Sequence, residues 1–175
     1  MRIAALTLLV TAATTALQAP AVDEDVLQGY LKQLFPSATS FSPKLSDPLP
    51  HYKAFHQIPG TDKWETLGFA FWTTEIEPDE RGYNGRIHIL VGMDVSGVLT
   101  SIIVVQHHEP YGRFSIDPPK FAAQYHNKSI REPLKLRQDI DAVSGATHTM
   151  TCATRSVRTA ARDMAKALLR PEDVK

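Results

Sequence analysis

The sequence predicts an α+β fold: an antiparallel β-sheet flanked by helices, closed by a long C-terminal helix. Three runs rich in aromatic and β-favouring residues, at 67–74, 87–93 and 98–106, read as strands. They are joined without the helical crossovers that parallel strands require, so the sheet is read as antiparallel. Met150, Ala153, Val157, Ala161, Met164 and Leu168 then recur every three or four residues, which is one apolar stripe on a single helix.

The elements follow in order. Asp23-Glu24-Asp25 precedes apolar residues at 26, 27, 30, 31, 34 and 35, a helical spacing with acids at the positive end of the dipole. Pro36 ends that helix. Residues 36–66 hold five prolines and no sustained period, which predicts a mostly irregular surface segment with one short strand. Asp94-Val95-Ser96-Gly97 suits a type I turn closing a hairpin between the last two strands. Asp117 as N-cap with Pro118 in the first turn predicts a short helix over 120–125. Arg162, Lys166 and Arg170 suit the C-terminal end of the final helix, read over 150–169.

Of the 175 residues, 43% are hydrophobic and 22% charged, a globular composition. Lys+Arg and Asp+Glu both number 19, so neither a nucleic-acid nor an anionic-membrane surface is written into the charge. A single cysteine, Cys152, excludes an internal disulfide, a thiolate zinc knuckle and a CxxCH haem site. Residues 1–21 read as a secretory signal peptide: Met1-Arg2, an apolar stretch over 3–17, and a small-x-small site at Ala19-Pro20-Ala21. The competing reading, a membrane anchor, falls short of the ~20 apolar residues a span needs. Three parts result: the leader at 1–21, an N-terminal helix and Pro-rich segment at 22–65, and the main domain at 66–175. The expected location is periplasmic or otherwise extracytoplasmic, with membrane contact only through a partner.

The chemistry concentrates in Asp141-Ala142-Val143-Ser144-Gly145-Ala146-Thr147-His148-Thr149, just ahead of the long helix. Small residues at 144–146 let a ligand approach the backbone, and hydroxyls with free helix N–H groups suit an anion such as phosphate. On those residues alone the ordinary helix start is the favoured reading, with Thr149 as N-cap and Ser144-Gly145 as a turn.

Resemblance shifts the balance. Asp141-x-x-Ser144-Gly145-Ala146-Thr147 resembles the D-x-x-(S/T)-G-A-(T/S) flavinylation motif of the FMN-binding domain family. That family includes the FMN-carrying extracytoplasmic subunits of the Rnf and sodium-pumping NADH:quinone reductase complexes and the periplasmic domain of NosR-type proteins. The resemblance extends over residues 66–160, through Gly82-Tyr83-Asn84-Gly85, the two strands with their turn, and His107-His108-Glu109-Pro110. This last run looks closer to the NosR type, since the Rnf type usually follows Glu with Thr-Pro-Gly.

The resemblance implies FMN joined covalently to Thr147 through a phosphodiester, made by a separate flavin transferase that uses FAD and magnesium. It also implies an electron-transfer flavoprotein working with membrane or periplasmic redox proteins rather than a self-contained catalyst; no dinucleotide-binding fingerprint is present. The cofactor-binding candidates are Thr147, Ser144, Gly145, Ala146, Asp141, His148, Thr149, Tyr83, Glu109 and His108. Tyr83 is a candidate to stack on the flavin ring, although aromatics in such positions are more often core. Glu109 and one histidine are placed near the flavin, while strand alternation sets His107 and His108 on opposite sides. Asp141 reads equally as a loop-capping residue, His148 as a solvated one, and Cys152 as a buried small residue or a thiol activated by the helix dipole. Two other functional classes stand beside the carrier: a NosR-like regulatory or structural flavin module, and a metal-binding protein built on His107, His108 and Glu109. No metal is assigned as a cofactor.

Overall fold

The computed structural model describes residues 22–174; the expected leader at 1–21 lies outside the described residues. Helix α1 (Glu24–Leu34) starts where the sequence places it, with the Asp23 carboxylate accepting from the Asp25 N–H at 3.1 Å. It buries Leu27, Leu31 and Leu34, each contributing about 1.5–3 kcal/mol of transfer free energy.

The sheet is a five-stranded antiparallel meander in chain order: β1 (Ser40–Phe41), β2 (Tyr52–Gln57), β3 (Trp64–Trp72), β4 (His88–Asp94) and β5 (Leu99–Gln106). The stretch over 36–66 is therefore more regular than expected, because Tyr52–Gln57 pairs along its length with β3. The prolines lie outside that run, and its aromatic side chains find a sheet to join, which a local reading of proline content misses. The sheet runs across residue 65 without a break. At the β4–β5 turn the Asp94 carboxylate accepts from the N–H groups of Ser96 and Val98 and the Ser96 hydroxyl, and Gly97 takes the positive φ of 76°.

Strand alternation sorts the core into two layers. Ala70, Trp72 and Leu90 pack with Leu27, Leu31 and Leu34 of α1. Phe69, Phe71, Ile89, Val91 and Met93 face the other way, onto Met150, Ala153, Val157, Ala161 and Met164 of α5 (Thr147–Leu168). Three short helices sit at the α5 side: α2 (Thr73–Ile76), α3 (Gly112–Ser115) and α4 (Pro119–Ala123). Asp117 does not cap α4; that position belongs to Pro118, and the Asp117 carboxylate is bound by His107 instead. The long helix begins three residues before the expected Met150, so Thr147 is its first residue rather than the last of a loop. Among the described residues no helix is long and apolar enough to cross a membrane.

Candidate functional site

The start of α5 is built open. The Ala146 N–H closes a turn onto the Val143 carbonyl at 3.2 Å, with Gly145 at φ +83°, where glycine carries no Cβ penalty. Ala146 is buried and stands at the N-cap position, so no side chain accepts from the first helical N–H groups, and the first turn carries no acid. Ser144, Gly145, Thr147 and His148 are exposed. An exposed hydroxyl thus stands on a helix end whose orphan donors and dipole favour a negative group. Thr149 is not the N-cap: it is the third helical residue and fully buried.

What Thr149 touches organises the rest. Its Oγ1 donates to Glu109 Oε2 at 2.6 Å, and the same carboxylate accepts the Tyr83 N–H at 3.1 Å and the Asn84 N–H at 3.0 Å. Glu109 lies past the end of β5 and is buried; it joins the Gly82–Gly85 loop to the first turn of α5. Burial opposes its ionisation, but the hydrogen bonds from Thr149, Asn84 and Tyr83 outweigh that and hold its carboxyl below the usual value. Gly82 is required here, since a Cβ would come within 2.3 Å of Glu109 Oε1.

His107 braces this carboxylate from behind. The Glu109 N–H donates to His107 Nδ1 at 3.1 Å, which fixes the proton on Nε2, and Nε2 donates to Asp117 Oδ1 at 2.6 Å. His108 is exposed, and its carbonyl rather than its ring joins the network, accepting from Asn84 Nδ2 at 2.9 Å. Glu109 is therefore brought to α5 while the two histidines diverge. Among the described residues no three His, Cys, Asp or Glu side chains converge as metal ligands.

Around Thr147 the other candidates take distinct places. The Tyr83 ring, 59% exposed, is tilted over the His148 ring with centroids 4.3 Å apart. His148 Nε2 lies 3.7 Å from Cys152 Sγ one turn on. That thiol is buried and donates to the Arg81 carbonyl at 3.0 Å; burial, and then the neighbouring Glu80 carboxylate, push it up to about 11. The helix dipole does not activate it. Glu80 forms a two-pronged pair with Arg155, at 2.7 and 2.6 Å, that ties the segment before Gly82 to α5. Asp141 makes no loop cap: its carboxylate lies 3.6 Å from Lys120 Nζ, and its N–H donates to Gln124 Oε1. Residues 137–144 border a concave surface of about 470 Å³ that ends at Ser144.

Residues Asn84, Asp117, Gly112 and Arg155 complete this framework without having been picked out as site residues, and His107, weighed as a metal ligand, serves instead to brace Glu109. Two glycines could have signalled it: Gly82, as above, and Gly112, where a Cβ would lie 2.1 Å from the His107 ring. The His107–Asp117 contact, across an irregular segment, leaves no such mark.

These residues fit a flavin phosphate. The hydroxyl of Thr147 is accessible, the N–H groups beside it lack a side-chain cap, and a Cβ at Gly145 would meet nothing within 4 Å, so the approach is clear. Comparison with known proteins agrees. The chain is 30% identical over 154 residues to "Regulatory protein NosR" of Pseudomonas aeruginosa, a match covering 82% of this chain and 20% of the relative. It thus spans about a fifth of the length of that curated relative. The model of the FMN-binding domain family matches residues 82–162, from the glycine that abuts Glu109 through most of α5, so this segment is similar to the FMN-binding domains of that family.

Proposed function

We propose that the chain is an exported electron carrier whose FMN is joined through a phosphodiester to Thr147 Oγ1. The carrying observation is the exposed Thr147 hydroxyl at the first position of an α5 N-terminus that no side chain caps. In attachment, the Thr147 oxygen bonds to the flavin-side phosphorus of FAD, the pyrophosphate bond breaks, AMP leaves and the hydroxyl proton is released. A separate magnesium-dependent flavin transferase catalyses this, and the flavin is neither oxidised nor reduced. The phosphodiester keeps one negative charge, which the N–H groups of Thr147, His148 and Thr149 and the α5 dipole stabilise. When bound, the flavin supplies electron exchange, one or two electrons at a time, with membrane or periplasmic redox partners. The tether retains the cofactor outside the cytoplasm, where a dissociated flavin would be diluted.

A second reading is favoured by the name of the relative: a regulatory module in which the redox state of the same flavin alters docking to a membrane partner. Both readings require the tether, so the first experiment addresses it. The exported protein, co-produced with a flavin transferase, is denatured, and its mass, visible absorbance and tryptic peptide 138–155 are measured. One FMN on Thr147 is the expected result. An unmodified peptide, with the transferase active on another substrate, would remove both readings.

A further inference from the structure

The segment 107–117 between β5 and α4 is tied together by hydrogen bonds from its mouth to its apex, where the Phe114 N–H donates to the Tyr111 carbonyl at 3.2 Å. His107 bonds Asp117 across its mouth, the Glu109 N–H bonds the His107 ring, and the Gly112 N–H bonds the Glu109 carbonyl at 3.3 Å. Ser115 is buried with its hydroxyl on the Tyr111 carbonyl at 2.8 Å, and Ile116 is buried in the core. Yet this fixed turn presents Tyr111, 51% exposed, and Phe114, 69% exposed, to solvent. Through Glu109 it is bonded to Thr149, two residues beyond Thr147, and α3 itself packs against α5.

Among the described residues, half of the exposed large apolar side chains lie on segments that meet at this helix end: Tyr83, Tyr111, Phe114 and Val143. Ile58 and Trp64 instead occupy the β2–β3 hairpin. Rigidly presented apolar surface marks a binding site, since exposure of these rings otherwise costs hydration free energy. The other space beside Thr147, bordered by residues 137–144, offers Arg137, Gln138, Asp139, Asp141 and Ser144 and no aromatic face.

We propose that Tyr111 and Phe114 cover the isoalloxazine ring of the flavin tethered at Thr147, sharing it with Tyr83. The inference rests on the tether proposed above, and one experiment separates the two. The flavin-loaded protein and the unloaded protein, made without transferase, are footprinted with hydroxyl radicals and read by peptide mass spectrometry. Loading should reduce oxidation of Tyr111 and Phe114 roughly threefold, as expected when half-exposed rings become part of a ligand site that buries most of its occupant. Ile58 and Trp64 should react equally in both states. As a second measurement, Phe114→Ala should show brighter emission per covalently bound flavin and stronger quenching by iodide than the unaltered protein. Equal labelling of Tyr111 and Phe114 in both states would overturn the proposal, and so would an emission and quenching profile unchanged by Phe114→Ala. If such variants lost only electron exchange with a redox partner, the turn would be a protein-docking surface. A protein that takes up no covalent flavin at all would instead overturn the tether.

Discussion

The two long helices of this molecule start in opposite ways. Helix α1 closes its own N-terminus: Asp23 accepts from the Asp25 N–H, and Glu24 and Asp25 supply negative charge in the first turn. Helix α5 has twice the length and does none of this; a buried alanine stands at its cap, its first turn carries no acid, and Gly145 before it leaves open space. Both helices pack on the same sheet through a single apolar stripe, so packing does not account for the difference. An N-terminus that already has its anion is finished as structure, whereas one left uncapped keeps free donors and a dipole that favour an anion.

The largest expected effect removes the attachment atom. Thr147→Ala should abolish covalent flavin, measured as loss of visible absorbance after denaturation, while the unfolding free energy of the unloaded protein changes by less than about 0.5 kcal/mol because the side chain is exposed. Thr147→Ser should keep measurable flavin, since a hydroxyl remains. A yellow Thr147→Ala protein would break the comparison outright.

Next in size is the carboxylate beneath the open end. Glu109→Ala leaves the Thr149 hydroxyl and two backbone N–H groups without their charged acceptor, a loss of about 3 kcal/mol in urea unfolding. The pH dependence has a definite sign. The native carboxyl ionises below its ordinary value of 4.5, so the stability it contributes is fully present above about pH 5 and is lost as pH falls through the depressed native value. Glu109→Gln should remove that part of the acid-side slope while costing less at neutral pH. A slope unchanged in Glu109→Gln would show that the carboxylate is not the group joining the Gly82–Gly85 loop to α5.

Much of this was legible beforehand, and the reasons are physical. Strand runs at 87–93 and 98–106 and the α5 stripe are periodic over many residues, so local pattern and tertiary packing agree. The D-x-x-S-G-A-T run stood out through its resemblance to a flavinylation motif, since small residues and hydroxyls ahead of a helix are by themselves an ordinary helix start. Strand β2 was hidden because its pairing with β3 is a tertiary event that proline-rich flanks disguise. The Asp117 cap failed for a related reason: its carboxylate had a stronger partner ten residues back, in His107, which no local rule supplies. Glu109 was placed near the site, yet its neighbours Asn84 and Thr149 lie far from it in sequence, and only the fold brings them into hydrogen-bond reach.

Two smaller effects sharpen the contrast between the helix ends. Gly145→Ala meets no steric obstacle, so its cost is the backbone penalty of φ +83° for an L-residue, roughly 1–2 kcal/mol. Gly145→Asn, which tolerates that region through its short polar side chain, should recover part of the loss. If both variants cost nothing, the turn ahead of Thr147 relaxes freely and its geometry is not specified by glycine. Asp23→Ala removes a true cap and should cost about 1 kcal/mol, read as a lower urea midpoint, with no change in flavin content. The cost is small because Glu24 and Asp25 remain to offset the α1 dipole. Equal flavin content in Asp23→Ala and the unaltered protein would tie the anion site to α5 alone, as its missing cap requires; loss of flavin from a change at α1 would mean that the two helix ends, on opposite faces of the sheet, are energetically coupled through it.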